Sequence, residues 1–166
     1  MNSPLFSRLM SRVLEGSEPE EAVRWMGMAV QESINSPCER DKRGVVIVKG
    51  GELIGKGVNA PPPGFRCEPA YCQPTCRTYA VHAEMNALID ARDLGNDVRG
   101  ARMYHVRGEQ GRLVDSRPPR CADCSKHILD FGLAGFVLKH VEGYTVYGAE
   151  EFNRLSLENQ RKRDSG

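Results

Sequence analysis

The sequence predicts an α/β fold, a three-layer α/β/α sandwich around a central mixed β-sheet. Three observations carry that prediction. Short β-rich runs alternate with longer segments of helical apolar spacing, in the order strand, strand, helix, strand, helix, strand. Glycine, proline and capping residues stand between most of these segments. The chain has 166 residues, 40% of them hydrophobic and 27% charged, which suits a single domain over residues 1–166 with a substantial core.

The elements follow in order. The first fourteen residues hold Arg8, Arg12, several serines and no acid, with Leu5, Phe6, Leu9, Met10, Val13 and Leu14 at helical spacing. The composition superficially resembles a transit peptide, but the spacing predicts an N-terminal helix packed on the core or on another subunit. Ser17-Glu18-Pro19-Glu20 reads as a capping box with proline in the first turn. It opens a helix whose stripe is Val23, Met26, Val30 and Ile34, and Ser36-Pro37 ends it, so residues 1–35 form N-terminal helices.

Gly44 to Lys49 is the first strand, and Gly50-Gly51 turns it into a second over Glu52 to Val58. Asn59 to Gly64 is a loop, because Pro61, Pro62 and Pro63 remove three backbone donors. A helix follows from about Tyr79 to Asp93, with Val81, Met85, Leu88 and Ile89 toward the core. Ala101 to Val106 is a third strand, Gly108 to Gly111 a turn and Arg112 to Val114 a returning ribbon. Cys121 begins a helix that stops at Gly132, a good C′ residue. Gly135 to Lys139 is the fourth strand, and no further strand is evident after it. Residues 140–166 hold a polar helix from Ala149 to Arg161 and a tail in which Arg161-Lys162-Arg163 is solvated.

Charge and apolar runs exclude several classes. A net charge of +1 gives no bulk attraction to nucleic acid. The longest strongly apolar run, Val45 to Val48, is far too short for a membrane span, and no secretory h-region follows the start. Six cysteines in such a chain suggest thiols in a reducing compartment, the cytoplasm.

The chemistry lies in His82-Ala83-Glu84 and Cys121-Ala122-Asp123-Cys124, each at the start of an expected helix. One imidazole and two thiolates give zinc three protein ligands and leave its fourth position for water, the layout of a catalytic site. Glu84, two residues from His82, is close enough to work on that water as general base and is not required as a ligand. Helix N-termini at both motifs favour thiolate and hydroxide at the same point. A closed structural zinc would have no use for a carboxylate at this spacing.

This pattern resembles that of the zinc nucleobase deaminases. More narrowly, His82-Ala83-Glu84-Met85-Asn86-Ala87-Leu88 is similar to the deoxycytidylate (dCMP) deaminase branch of the cytidine deaminase superfamily. So are Gly44 to Val48, Gly57 to Ala60, and Cys124-Ser125-Lys126-His127-Ile128, and the resemblance covers roughly residues 20–140. It implies a cytidine deaminase-like fold and hydrolysis of dCMP to dUMP and ammonia. It also implies that Asn59 binds the sugar hydroxyl, that the Ala83 N–H binds the pyrimidine carbonyl and that Asn86 helps order the site. A turn residue is an equal reading of Asn59. A homo-oligomer is expected.

Two features depart from the family pattern. Arg120 separates Pro119 from Cys121, where proline usually precedes the first cysteine directly. The link from Arg107 to Arg120 is long and carries Arg107, Arg112, Arg117 and Arg120. Those arginines could hold a phosphate, with Arg120 the candidate beside the metal; a solvated hairpin is the plain alternative.

Cys38, Cys67, Cys72 and Cys76 resemble the set with which some bacterial and phage dCMP deaminases hold a second, structural zinc. Scattered buried thiols are the alternative. Two other functions share part of the sequence pattern. A deaminase of another nucleoside, nucleotide or base in single-stranded nucleic acid would share the zinc chemistry, though an editing groove is lined with basic and aromatic groups, against which the 7% aromatic content and near-neutral charge argue. A non-catalytic zinc adaptor would not need Glu84.

Overall fold

A computed structural model of the chain describes residues 11–71 and 78–166, and Tyr71 by its backbone alone. Its elements are β1 (Arg12–Val13), α1 (Glu18–Ile34), β2 (Lys42–Lys49), β3 (Glu52–Val58), α2 (Ala83–Asp93), β4 (Arg102–Glu109), β5 (Arg112–Val114), α3 (Ala122–Asp130), β6 (Gly135–His140), β7 (Gly143–Gly148) and α4 (Ala149–Asp164). The strands form one mixed sheet in the order β1-β7-β6-β4-β2-β3, with β5 added to β4. β4 and β6 run parallel, with α3 on the connection between them, and the other pairs are antiparallel.

Alternation along the strands divides the core in two. Val46, Val48, Tyr104, Val106, Val137 and Val146 meet α1 through Ala22, Trp25, Met26, Ala29 and Val30. Val45, Ile47, Met103, Phe136, Leu138 and Tyr147 meet α2, α3 and α4 on the opposite face. The expected α/β/α sandwich is therefore present.

Two glycines set the height of α2 above the sheet. A Cβ on Gly55 would lie 2.8 Å from the Ala87 carbonyl oxygen, and one on Gly57 would lie 2.6 Å from that of Ala83. The first turns of α2 thus rest on bare β3 backbone. Gly50 and Gly51, at φ 59° and 79°, make the expected hairpin turn.

The structure corrects several sequence expectations. Residues 1–10 lie outside the described residues, but Arg12–Val13 is a strand paired with β7 and not the end of a helix. Leu14 anchors that strand in the α1-side core. β7 supplies the strand that was not evident after β6: Tyr144 and Val146 turn to the α1 side, and Tyr147 to the other. The capping box does not form, because Ser17 is already in the helical region and its hydroxyl makes no cap bond. The Glu18 carboxylate instead accepts from the Arg12 guanidinium and the Glu15 N–H. α1 is rotated from the expected stripe, leaving Val23 and Ile34 exposed while Ala22 and Trp25 are buried. α2 starts at Ala83 and not near Tyr79, since Val81 is held in a two-bond bridge with Ala60, and Ile89 lies on its outer side. Residues 161–163, expected as tail, belong to the last turn of α4.

Candidate active site

Both motif histidine and motif cysteine are helix N-caps. His82 and Cys121 have extended backbones immediately before α2 and α3, and the Cys121 sulfur accepts the Cys124 N–H at 3.4 Å. The Ala60–Val81 bridge fixes the chain entering His82, tying the residues before α2 to those after β3. The two N-termini converge. His82 Nδ1 lies 3.0 Å from Cys124 Sγ and 3.4 Å from Cys121 Sγ.

Among the described residues, these three are the one cluster able to hold a metal ion, with ligand atoms all within 4.8 Å of one another. Zinc–sulfur bonds of about 2.3 Å and a zinc–nitrogen bond of about 2.0 Å in tetrahedral arrangement separate N from S by about 3.5 Å. The cluster is near that spacing, and its donor set is the one zinc prefers. Hydrogen bonding with Cys124, and then with the His82 ring, draws the Cys121 thiol down to about 5. Its bond with Cys121 raises His82 to about 9, while the bond with Cys121 and burial push Cys124 up. Three donors thus share protons at a point where a cation would release them.

A cavity of about 590 Å³ opens beside the cluster. His82, Ala83 and Glu84 line it, so the N-terminal amides of α2 face the space in which a ligand would sit. Glu84 is 8% exposed. Burial pushes its carboxyl pKa up, but the imidazoles of His105 and His82 outweigh that and leave it below the ordinary range. The floor includes Phe136, stacked on Phe152 at a centroid distance of 3.9 Å.

The other sequence candidates divide. Asn59 lines the cavity, but its amide is committed within the fold. Oδ1 accepts from the Arg43 N–H at 2.7 Å and the Ser36 hydroxyl at 2.9 Å, and Nδ2 donates to the Asp41 carbonyl at 2.7 Å. Asn86 is outside the cavity lining and donates to the Val58 carbonyl at 2.7 Å, tying α2 to the end of β3. Cys38 also lines the cavity, and Cys67 is half-buried; Cys72 and Cys76 lie outside the described residues.

The long link is not a free hairpin. Beyond β5, Ser116 N–H donates to the Lys139 carbonyl at 2.7 Å, and the Pro119 carbonyl accepts from Asn159 Nδ2 at 2.7 Å. Arg163 Nη2 donates to the Arg120 carbonyl at 3.0 Å. This brings Arg117, Arg120 and Arg163 to the cavity together with Arg43 and Arg107. Asp41 pairs with Arg43 and Arg107 at 2.6 and 3.2 Å, while Arg117, Arg120 and Arg163 have no ion pair among the described residues. Burial, then the charges of Arg117, Arg163 and Arg43, lower the pKa of Arg120. Arg112, on β5, is exposed and outside the cavity lining.

Several cavity residues were missed in the sequence, among them Asp41, Arg43, Phe136, Arg163 and His105. Arg163 carries no local signal beyond a basic helix end. His105 does carry one, as a histidine at the core-facing step of an otherwise apolar run, Met103 to Val106.

Residues 19–140 match the family model of the cytidine and deoxycytidylate deaminase zinc-binding region. The deoxycytidylate deaminase of Mycobacterium phage D29 is 34% identical over 107 residues, 55% of this chain and 80% of that protein. The dCMP deaminase of cyanophage S-TIM5 in apo form aligns at a TM-score of 0.56 with 28% identity, over 71% of this chain and 81% of its own. The same cyanophage enzyme in complex with dCMP and dUMP aligns at 0.54 with 26% identity, over 71% and 79%. The family match spans both motifs and the strands that carry them: the chain belongs to the cytidine and deoxycytidylate deaminase family.

Proposed function

We propose that this chain is a zinc-dependent deaminase that hydrolyses dCMP to dUMP and ammonia. The observation that carries the reading is the buried Glu84 carboxylate beside the three-donor cluster, at the wall of a cavity ringed by arginines. His82, Cys121 and Cys124 would hold the zinc, which when bound lowers the pKa of a water toward neutrality. Glu84 takes one proton from the attacking water and delivers it to the ring nitrogen, then carries the second, from the new hydroxyl on the attacked carbon, to the amine, which leaves as ammonia as the C–N bond breaks. The Ala83 N–H, at the positive end of α2, donates to the pyrimidine carbonyl. Phe136 supports the base, and Asn59 acts indirectly by fixing Arg43 and Asp41 at the cavity wall.

The phosphate state follows from the charge. Like charges gathered at a partly buried wall repel one another, and an anion placed between them relieves that repulsion. Arg120 leads this group, with Arg117 and Arg163 beside it. The phage enzymes named above act on a monophosphate by their names, which agrees with a wall of this kind.

A homo-oligomer in the cytoplasm completes the reading. Val23 and Ile34, exposed on α1, offer apolar surface for a second copy, and sedimentation tests that assembly. The function itself is tested by ammonia release from zinc-loaded protein given dCMP, deoxycytidine, adenine and guanine nucleotides, or a cytosine-bearing oligonucleotide. dCMP is expected to give the highest kcat/KM. Turnover of the oligonucleotide alone would move the chain to the nucleic-acid deaminases, and none with any substrate would contradict enzymatic function.

A further inference from the structure

Strand β4 carries a histidine onto the face of the sheet that packs against α2, α3 and α4. Met103 packs among α2, α3 and α4, and Tyr104 and Val106 face α1; His105 falls on the Met103 side, in the cavity lining. Its ring sits against Phe136, with centroids 5.8 Å apart, and the residue is only 8% exposed. Nδ1 is buried with no hydrogen-bond partner among the described residues. A buried nitrogen without a partner destabilises a fold, so an apolar side chain here would cost less. The other ring nitrogen faces Glu84, with Nε2 3.8 Å from Oε1.

That separation is longer than a hydrogen bond, as catalytic contacts often are before a ligand closes the site. Burial holds the His105 imidazole neutral, down to about 4, against the opposing pull of Glu84. The ring therefore presents an N–H dipole and not a charge. Among the described residues only Nε2 has an acceptor in front of it, which selects the tautomer with its proton on Nε2.

We propose that His105 is a positioning residue for the deamination: its Nε2–H holds Glu84 by Oε1 and leaves the other carboxylate oxygen to the water and the base. Glu84 must serve two partners in turn, first the water and then the ring nitrogen, and a carboxylate free to rotate would lose one of them. The inference rests on the deaminase reading above. It assigns the fixing of the general base to a strand residue on the cavity floor, independently of the metal ligands.

The test compares His105→Leu and His105→Gln in zinc-loaded protein. The leucine variant is expected to lose about tenfold or more in kcat for dCMP, with KM within about twofold and zinc content unchanged. Glutamine, whose amide N–H can reach the carboxylate, is expected to recover much of the loss. Nitrogen NMR of the wild-type zinc protein at neutral pH should show the His105 proton on Nε2. Full kcat in the leucine variant, loss of zinc along with activity, a glutamine variant no better than leucine, or a proton on Nδ1 would each overturn the proposal. If the leucine variant does not fold, the tautomer in the wild-type protein decides. A wild-type protein that turns over nothing would strike the deaminase reading, while the same tautomer measurement still judges the His105–Glu84 contact.

Discussion

Glu84 combines two properties that seldom occur together, near-complete burial and an ionised carboxylate. Its neighbours, and not solvent, hold the charge, and removing that charge should remove the proton transfer alone. Glu84→Gln is expected to bind zinc and fold normally while turnover falls by about a hundred- to ten-thousand-fold, measured as ammonia release alongside metal content. Asn59 should behave differently. Three hydrogen bonds within the fold depend on its amide, so Asn59→Ala is expected to destabilise the protein by about 1–3 kcal/mol in urea unfolding, whatever it does to KM. The sequence made the motif residues legible because their spacing is local: Cys121 and Cys124 lie within one helical turn, and Glu84 lies just inside the helix that His82 caps. His105 shows only as a polar break in an apolar run, and Arg163 not at all, for the opposite reason. Each meets the site only through the order of strands or the run of a helix far along the chain.

At the scale of elements, the site is the meeting of two helix N-termini held at fixed heights over the sheet. Gly57 sets one of them, since any Cβ there collides with the Ala83 carbonyl and the backbone of the next turn. Gly57→Ala is expected to lift the first turn of α2 and lower zinc affinity, a change readable by metal titration; unchanged affinity would mean that the helix adjusts without moving His82. The end of α4 bears on the link before α3 through Asn159, Gln160 and Arg163, which bond Pro119, Ala122 and Arg120. Arg120→Ala should therefore raise KM about ten- to a hundredfold for dCMP and much less for deoxycytidine. Equal changes for both would place phosphate recognition elsewhere. The layer order was legible from apolar periodicity, but β1 and β7 were not. A two-residue strand has no periodicity to detect, and β7 follows its hairpin so closely that its Tyr-Thr-Val-Tyr alternation read as connection to α4.

Across the whole molecule, one sheet joins the N-terminal segment to the site at the far side of β4. β1 is held to α1 by Arg12 and Glu18, and the hydrogen bond from Arg12 depresses the Glu18 carboxyl to about 2 from an ordinary 4.5. A depressed carboxyl contributes stability that is present above the unfolded pKa and lost as pH falls through the folded one. Between pH 4.5 and about 2, β1 is therefore expected to loosen from β7, seen as faster amide exchange at Leu14, and Glu18→Gln should abolish that pH dependence. Metal content is a second whole-molecule property. The catalytic cluster and the proposed cysteine set at Cys38, Cys67, Cys72 and Cys76 would together give two zinc ions per chain, and one alone would leave those thiols without a metal role. Hydrolytic deamination itself is tested most directly by product analysis of dCMP incubated with the zinc-loaded protein in water enriched in heavy oxygen. The expected product is dUMP carrying one heavy oxygen on its ring, formed together with an equal amount of ammonia and all but absent from the Glu84→Gln variant. Unlabelled dUMP, or undiminished product from that variant, would contradict it.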